Sequence, residues 1–190
     1  MILQITGKPG FGKTYTLTKF CIEHLQKFEK PVFSNVKINV QGFKNLKGDL
    51  YFWSELKQFK EIYDGLIIMD EAQTYFNAHR WKEMTEEDEI KLQQHRHHGL
   101  DIIGAVQDFN STNTTLRRLT QEIIIVHKFF KFFISKQYEP QDYDLKTKKS
   151  LKTKIYKFDK KIANAYDTTE LRKKRQTDLS QFKKMSDFFE

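Results

Sequence analysis

The chain has 190 residues, 38% of them hydrophobic and 31% charged, which predicts one soluble globular domain with a core of useful size and excludes disorder throughout. The single cysteine, Cys21, excludes a disulfide within the chain and favours a reducing cytosol. The sequence shows no signal-peptide pattern at its start and no run of 18 apolar residues, so we expect neither signal-directed secretion nor a membrane-spanning helix.

The net charge of +8 is unevenly distributed. Residues 141–190 carry 14 Lys and Arg against 8 Asp and Glu, whereas the first 140 residues are nearly neutral. A basic tail of this kind indicates contact with a polyanion such as DNA or an anionic membrane face, and a solvated surface is the alternative.

Strand-like and helix-like patterns alternate along the first 127 residues. Apolar strands are predicted at 1–6, 31–35, 66–69, 101–106 and 122–127. Helices are predicted at 13–28, 53–63, 114–119 and in the polar stretch that follows the acidic segment 83–89, with Gly99 as its cap. Strands that alternate with helices at this spacing predict an α/β fold with a mostly parallel central sheet flanked by helices.

The later part of the chain has a different character. The aromatic-rich stretches 129–138 and 154–158 predict two antiparallel strands at a sheet edge. We interpret Trp53, Trp81 and the aromatic cluster at 129–133 as core or interface residues in preference to base-stacking platforms. We place the domain at residues 1–166, and we expect the polar, basic tail at 167–190 to be helical or partly disordered.

A phosphate-binding loop follows the first strand. The motif G-x-x-x-x-G-K-[ST] is matched without a mismatch, and the candidate nucleotide-binding residues are Gly7, Lys8, Pro9, Gly10, Phe11, Gly12, Lys13, Thr14 and Tyr15. Its glycines allow backbone amides to point at phosphate oxygens, and the following helix adds its positive N-terminus. Lys13 is expected to neutralise the β and γ phosphates, and Thr14 to coordinate Mg²⁺.

A Walker B pattern follows at residues 66–71. An apolar strand ends there in Asp70 and Glu71, and we predict that Asp70 holds Mg²⁺ and that Glu71 is the general base that activates water. The next apolar strand ends in Gln107, a candidate sensor of the γ phosphate.

The transition state also needs a cation, and ring ATPases often take it from a neighbouring subunit. The candidates are Arg96, Arg117 and Arg118, and the sequence does not choose among them. The three histidines of the HRHHG segment at 95–99 cannot all face one metal on a regular helix, so we do not expect zinc there.

Several of these segments together resemble the zonular occludens toxin (Zot) family, which includes assembly ATPases of filamentous phages. They are GKPGFGKT at 7–14, SNV at 34–36, IIMDEAQTYF at 67–76 with Arg80 close behind, QQHRHHGLDIIGAVQ at 93–107, LRRL at 116–119, and AYDTTE at 165–170. The resemblance covers about residues 1–170 and implies a RecA-like P-loop ATPase of the FtsK and HerA type that uses ATP and Mg²⁺ to extrude or package viral DNA. Toxin activity belongs to other regions of some members and is not carried over.

Filamentous-phage members usually continue into a membrane-spanning helix and an exported domain. This sequence shows neither, so packaging into a capsid gains weight as an expectation over extrusion. We expect viral DNA of unknown strandedness, capsid or coat proteins, peripheral membrane contact and a homo-oligomeric ring, with six subunits as the first choice. We expect the protein to be located in the host cytoplasm, at the inner-membrane surface or in the virion. The alternatives are a nucleotide-regulated morphogenesis scaffold and a non-motor NTPase or small-substrate kinase.

Overall fold

The computed structural model describes residues 1–76, 85–143 and 150–166. Within these ranges the strands are β1 (Ile2–Thr6), β2 (Val32–Ser34), β3 (Leu50–Phe52), β4 (Gly65–Met69), β5 (Leu100–Val106), β6 (Glu122–Phe129), β7 (Phe132–Tyr138) and β8 (Lys152–Lys157). The α-helices are α1 (Lys13–Lys27), α2 (Leu56–Phe59), α3 (Glu86–Gln93), α4 (Thr114–Leu119) and α5 (Lys160–Asn164). Arg80, Trp81 and the predicted tail at 167–190 lie outside the described residues.

All eight of these strands belong to one sheet, in the spatial order β3-β2-β4-β5-β1-β6-β7-β8. The six strands from β3 to β6 in that order are parallel, and β6, β7 and β8 form an antiparallel extension. The structure therefore confirms the predicted α/β class with a mostly parallel sheet and antiparallel edge strands.

The central strands are mostly apolar because helices cover both faces of the sheet. In β4, Ile67 and Met69 pack into a core on one face, whereas Leu66 and Ile68 pack into a second core on the other. Helix α1 covers the second face with residues four apart on one stripe, among them Cys21. Burial raises the pKa of the Cys21 thiol to about 12, as expected for a core cysteine.

The helix predicted over 53–63 is too long at both ends. Residues 50–52 form β3 against β2, and the Trp53 backbone amide continues this pairing by donating to the Ser34 carbonyl at 3.1 Å. Only the four residues of α2 are helical, and Trp53 is buried. Residues 56, 59 and 63 do have helical spacing. The backbone pairing with β2, however, extends to Trp53, the first residue of the predicted helix.

Within the described ranges, none of the helices has the length and apolarity that crossing a bilayer requires.

The antiparallel extension packs its aromatic side chains against the phosphate loop and the start of α1. Phe133 of β7 stacks on Tyr15 with a ring-centroid distance of 4.4 Å. Gly12, the residue before α1, has a φ of 90° in the left-handed region, and a Cβ there would lie 2.2 Å from the Phe133 ring. A glycine at this position is required both by the backbone conformation and by the approach of β7.

The substitutions Gly12→Ala and Gly10→Ala separate these two requirements. Gly10 also has a positive φ, of 78°, but a Cβ there would meet no atom within 4 Å. We expect Gly10→Ala to lower the free energy of unfolding by about 1–2 kcal/mol through backbone strain. Gly12→Ala should lose about 1–3 kcal/mol more, because Phe133 must move. Urea unfolding measures both, and equal losses would contradict the packing of β7 on the loop.

The HRHHG segment has a structural role in the connection from α3 to β5. His95 is buried, and its Nδ1 donates to the Leu92 carbonyl at 2.8 Å, while its Nε2 is buried and finds no partner among the described residues. Burial lowers the pKa of His95. His97 is exposed, and the His98 ring lies edge-on to Tyr63. No cluster of His, Cys, Asp and Glu able to hold a metal occurs in the described part of the chain.

The lowered pKa of His95 predicts a loss of stability in mild acid. Because the folded-state pKa lies below the ordinary 6.5, the unfolded chain takes up the proton first, and stability falls as the pH drops through 6.5 and below. From about pH 7.5 to about pH 5, wild-type protein should lose more unfolding free energy than His95→Gln, which does not titrate. Parallel losses in urea titrations of the two proteins would contradict a neutral, buried His95.

Candidate functional site

The phosphate loop connects β1 to α1 at the carboxyl edge of the parallel strands. The Lys13 side chain folds back over this loop, where its Nζ donates to the Gly7 carbonyl at 2.9 Å and lies 3.5 Å from that of Lys8. Lys13 is buried, so its ammonium is desolvated inside the concavity of the loop. Phosphate oxygens at this position would meet a fixed positive charge and the N-terminus of a 15-residue helix.

The Walker B carboxylate meets the phosphate loop directly. The Thr14 hydroxyl donates to Asp70 Oδ2 at 2.6 Å, and the Glu71 backbone amide donates to Asp70 Oδ1 at 3.0 Å. Burial raises the pKa of Asp70, although the Thr14 hydrogen bond opposes the shift. A desolvated carboxylate beside a hydroxyl oxygen fits Mg²⁺, which prefers oxygen ligands and completes its shell with water and substrate phosphates.

Asn35, which follows β2, fixes the backbone of Asp70 from the side. Its Nδ2 donates to the Asp70 carbonyl at 2.9 Å, and its Oδ1 accepts from the Asp70 amide at 2.7 Å. The sequence analysis assigned this residue no role, although it lies within the 34–36 segment that carries the family resemblance. Asn35 therefore positions Asp70, and only the adjacency of β2 and β4 reveals it.

Glu71 adopts a strained backbone conformation at the mouth of the site. Its φ of 51° and ψ of 46° lie in the left-handed region, which is rare for a residue other than glycine. Its Oε2 accepts hydrogen bonds from the Gln107 amide at 3.3 Å and from the Gln73 amide. The predicted meeting of Gln107 with the acidic pair at one sheet edge is thus observed, and Gln73 is an additional partner that the sequence analysis missed.

A cavity of about 500 Å³ opens beside these groups. It is lined on one side by the phosphate loop and the acidic edge and on the other by the antiparallel extension: Pro9, Gly10, Gly12, Lys13, Thr14, Tyr15, Glu71, Gln107, Lys128, Phe133, Phe158 and Tyr166. The remaining predicted loop residues do not line the cavity. The Gly7 and Lys8 carbonyls face the Lys13 ammonium, and Phe11 contacts the His127 ring.

The three candidate arginines do not line this cavity. Arg96 lies in the connection that enters β5 at its amino end, the end opposite Gln107. Arg117 and Arg118 are in the last turn of α4, where the Arg117 guanidinium contacts Asn110 and Thr114 at 3.4 Å. Any contribution to γ-phosphate chemistry would therefore have to come from a neighbouring subunit, and that role stays a prediction.

Four lining residues come from segments that the sequence analysis did not assign to the site: Lys128, Phe133, Phe158 and Tyr166. The available signal was the density of aromatic residues in two predicted edge strands and in the AYDTTE segment. That signal does not distinguish a ligand-facing ring from a core ring. The pairing of β6, β7 and β8 beside β1 makes the distinction, because it brings these rings next to the phosphate loop.

Comparisons with known proteins agree with this fold. The family model described as zonular occludens toxin (Zot) matches residues 1–183. No curated protein matches the sequence.

Among solved structures, the N-terminal domain of zonular occludens toxin from Neisseria meningitidis superposes with a TM-score of 0.58. It is 22% identical and covers 87% of this chain and 98% of its own. The genome packaging NTPase B204 from Sulfolobus turreted icosahedral virus 2, in complex with AMPPCP, has a TM-score of 0.54 at 15% identity over 83% and 97% of the two chains. B204 from Sulfolobus turreted icosahedral virus, described as a DNA-packaging ATPase, has a TM-score of 0.55 at 14% identity over 83% and 97%.

At these identities the structural likeness shows the fold alone, a RecA-like α/β fold with a mostly parallel sheet. The family model, in contrast, matches nearly the whole chain. The chain therefore belongs to the zonular occludens toxin (Zot) family.

Proposed function

We propose that this protein is a Mg²⁺-dependent ATPase that drives packaging of phage DNA or assembly and extrusion of the virion. The observation that carries the proposal is the contact of Thr14 with Asp70, which brings the phosphate loop and the acidic strand end together around an oxygen-lined metal position. A phosphate loop alone binds nucleotide. The adjoining Glu71 adds the group that hydrolysis requires.

Each side chain has a chemical task in this proposal. Lys13 neutralises charge on the β and γ phosphates, and Thr14 and Asp70 hold Mg²⁺, which supplies further charge stabilisation when bound. Glu71 accepts a proton from the attacking water. The Gln107 amide, which contacts Glu71 at 3.3 Å, orients that carboxylate and responds to the presence of the γ phosphate.

The DNA-directed part of the proposal rests on family membership, on charge and on the relatives. B204 is described as a genome packaging NTPase, and it shares the fold of this chain. The net charge of +8 favours a polyanionic partner. In a ring of identical subunits, with six as the proposed number, a neighbour would supply an arginine, which the described lining residues of each cavity do not include. Such a ring would work in the host cytoplasm or at the inner-membrane surface, with capsid or coat proteins as partners.

Two substitutions test the chemistry. Lys13→Ala should weaken ATP binding by about 100-fold, because a desolvated charge that faces the phosphates is lost. Glu71→Gln should bind ATP with nearly unchanged affinity but lower turnover by about 100-fold or more, because the general base is lost. Calorimetry and steady-state phosphate release measure the two effects. Equal turnover in wild type and Glu71→Gln would contradict the assignment of Glu71.

The motor function is tested on the same proteins by adding DNA. We expect single- or double-stranded DNA to stimulate phosphate release by wild-type protein, and mass measurement with a non-hydrolysable ATP analogue to show a closed oligomer. Glu71→Gln should form that oligomer and bind DNA without moving it. A persistent monomer with DNA-independent turnover would contradict a translocating motor and leave the ATPase chemistry intact.

The positioning role of Asn35 can be separated from nucleotide binding. Asn35→Ala removes both hydrogen bonds to the Asp70 backbone, so we expect the Mg²⁺-dependent gain in ATP affinity to fall by about tenfold or more. Affinity measured in EDTA should change little. Asn39→Ala, an exposed asparagine four residues further on, is the matched control. A loss of equal size with and without Mg²⁺ would indicate a general structural effect instead.

A further inference from the structure

The cavity beside the phosphate loop has an aromatic wall, which we define as Tyr15, Phe133, Phe158 and Tyr166. Three of these rings form one stack: Tyr15 lies 4.4 Å from Phe133 and 5.7 Å from Phe158 by ring centroids, with interplanar angles of 14° and 22°. Rings at such distances attract one another in offset geometry. The wall is therefore a packed surface and not a set of independent side chains.

Two hydrogen-bonded connections hold the wall in place. The Tyr15 hydroxyl accepts from the Asp159 backbone amide at 2.9 Å, which ties the end of β8 to α1. Tyr166 pairs through its backbone with Ile38, which ties the residues after α5 to the segment that follows β2. Phe158 and Tyr166 are only half-buried, and each leaves part of its ring open to the cavity.

The size of the cavity indicates a ligand larger than a triphosphate. A volume of about 500 Å³ falls in the range of pockets that enclose a whole small molecule. The phosphates are accounted for by Lys13 and the loop, and the metal by Thr14 and Asp70. The aromatic wall is what remains for the nucleoside part of the nucleotide.

The chemistry of the wall limits how a base could be recognised. Side-chain discrimination between adenine and guanine is strongest where an amide or carboxylate group matches the hydrogen-bonding edge of the base. Among the described lining residues such side chains are Glu71 and Gln107, and these bond to each other at the metal end. Near Phe158 the charged group is Lys128, whose Nζ lies 5.9 Å from the ring centroid. Stacking on aromatic faces tolerates any base, since every base has a π face.

We infer that the aromatic wall binds the nucleobase by stacking, chiefly on Phe158, and that the site accepts nucleoside triphosphates without selecting ATP over GTP. This inference rests on the proposed nucleotide site and adds the specificity of that site. It assigns the antiparallel extension a direct part in ligand binding, in addition to completing the sheet.

The test compares binding of ATP, GTP and inorganic tripolyphosphate, each with Mg²⁺, by calorimetry. Wild-type protein should bind ATP and GTP within about threefold of each other and both about tenfold or more tighter than tripolyphosphate, because base stacking is worth roughly that factor. Phe158→Ala should lower the affinity for ATP and for GTP by about tenfold and leave the affinity for tripolyphosphate unchanged. Phe158→Tyr, which keeps the ring, should retain wild-type affinity for all three.

Phe130→Ala is the matched control, because Phe130 is an exposed phenylalanine at the turn between β6 and β7 and does not line the cavity. It should bind all three probes like wild type. An ATP affinity equal to that of tripolyphosphate, a strong preference for one base, or equal losses for all probes in Phe158→Ala would overturn the inference. In the first two cases tripolyphosphate still binds and the proposed NTPase stands. A wild-type protein that binds none of the three would refute the proposed function itself.

Discussion

The hydrogen bond between the Thr14 hydroxyl and the Asp70 carboxylate joins two elements that are 56 residues apart in the chain. It depends on sheet register: Met69 pairs level with Gly104, and Thr6 pairs level with Val106, so β4, β5 and β1 end at the same edge. A parallel sheet whose strands end together presents its loops side by side. The nucleotide site is therefore a consequence of strand order and register. A shift in the register of one strand would separate the oxygens of Thr14 and Asp70.

Part of the site is held in an unfavourable state. Asp70 is a carboxylate whose pKa is raised by burial, and Glu71 has a left-handed backbone that side chains other than glycine rarely adopt. The surrounding groups compensate through the double hydrogen bond from Asn35 and the amides that reach Glu71. Bound Mg²⁺ would supply positive charge beside the buried Asp70 carboxylate. The site is thus preorganised for a ligand that carries the missing charge.

The antiparallel extension distinguishes this molecule from a minimal P-loop domain. Strands β7 and β8 do not continue the parallel core, but they stack Phe133 and Phe158 on Tyr15, the residue directly after the phosphate loop. The extension thereby couples the loop that grips phosphate to the outer edge of the sheet.

The sequence alone determined the phosphate loop, the acidic pair after an apolar strand, Gln107 at the end of the next strand, and the α/β class. These features can be predicted from short stretches of the chain, because a few contiguous residues fix the backbone geometry of a loop or the periodicity of a strand or helix. The tertiary structure decided the remainder: that only Leu56–Phe59 of a predicted helix are helical, that Asn35 fixes the Asp70 backbone, that Phe158 and Tyr166 face the nucleotide cavity, and that the three candidate arginines do not line it. These contacts cross the sheet between elements distant in the chain, and pairing order is set by packing of the whole core, which no short stretch of residues encodes.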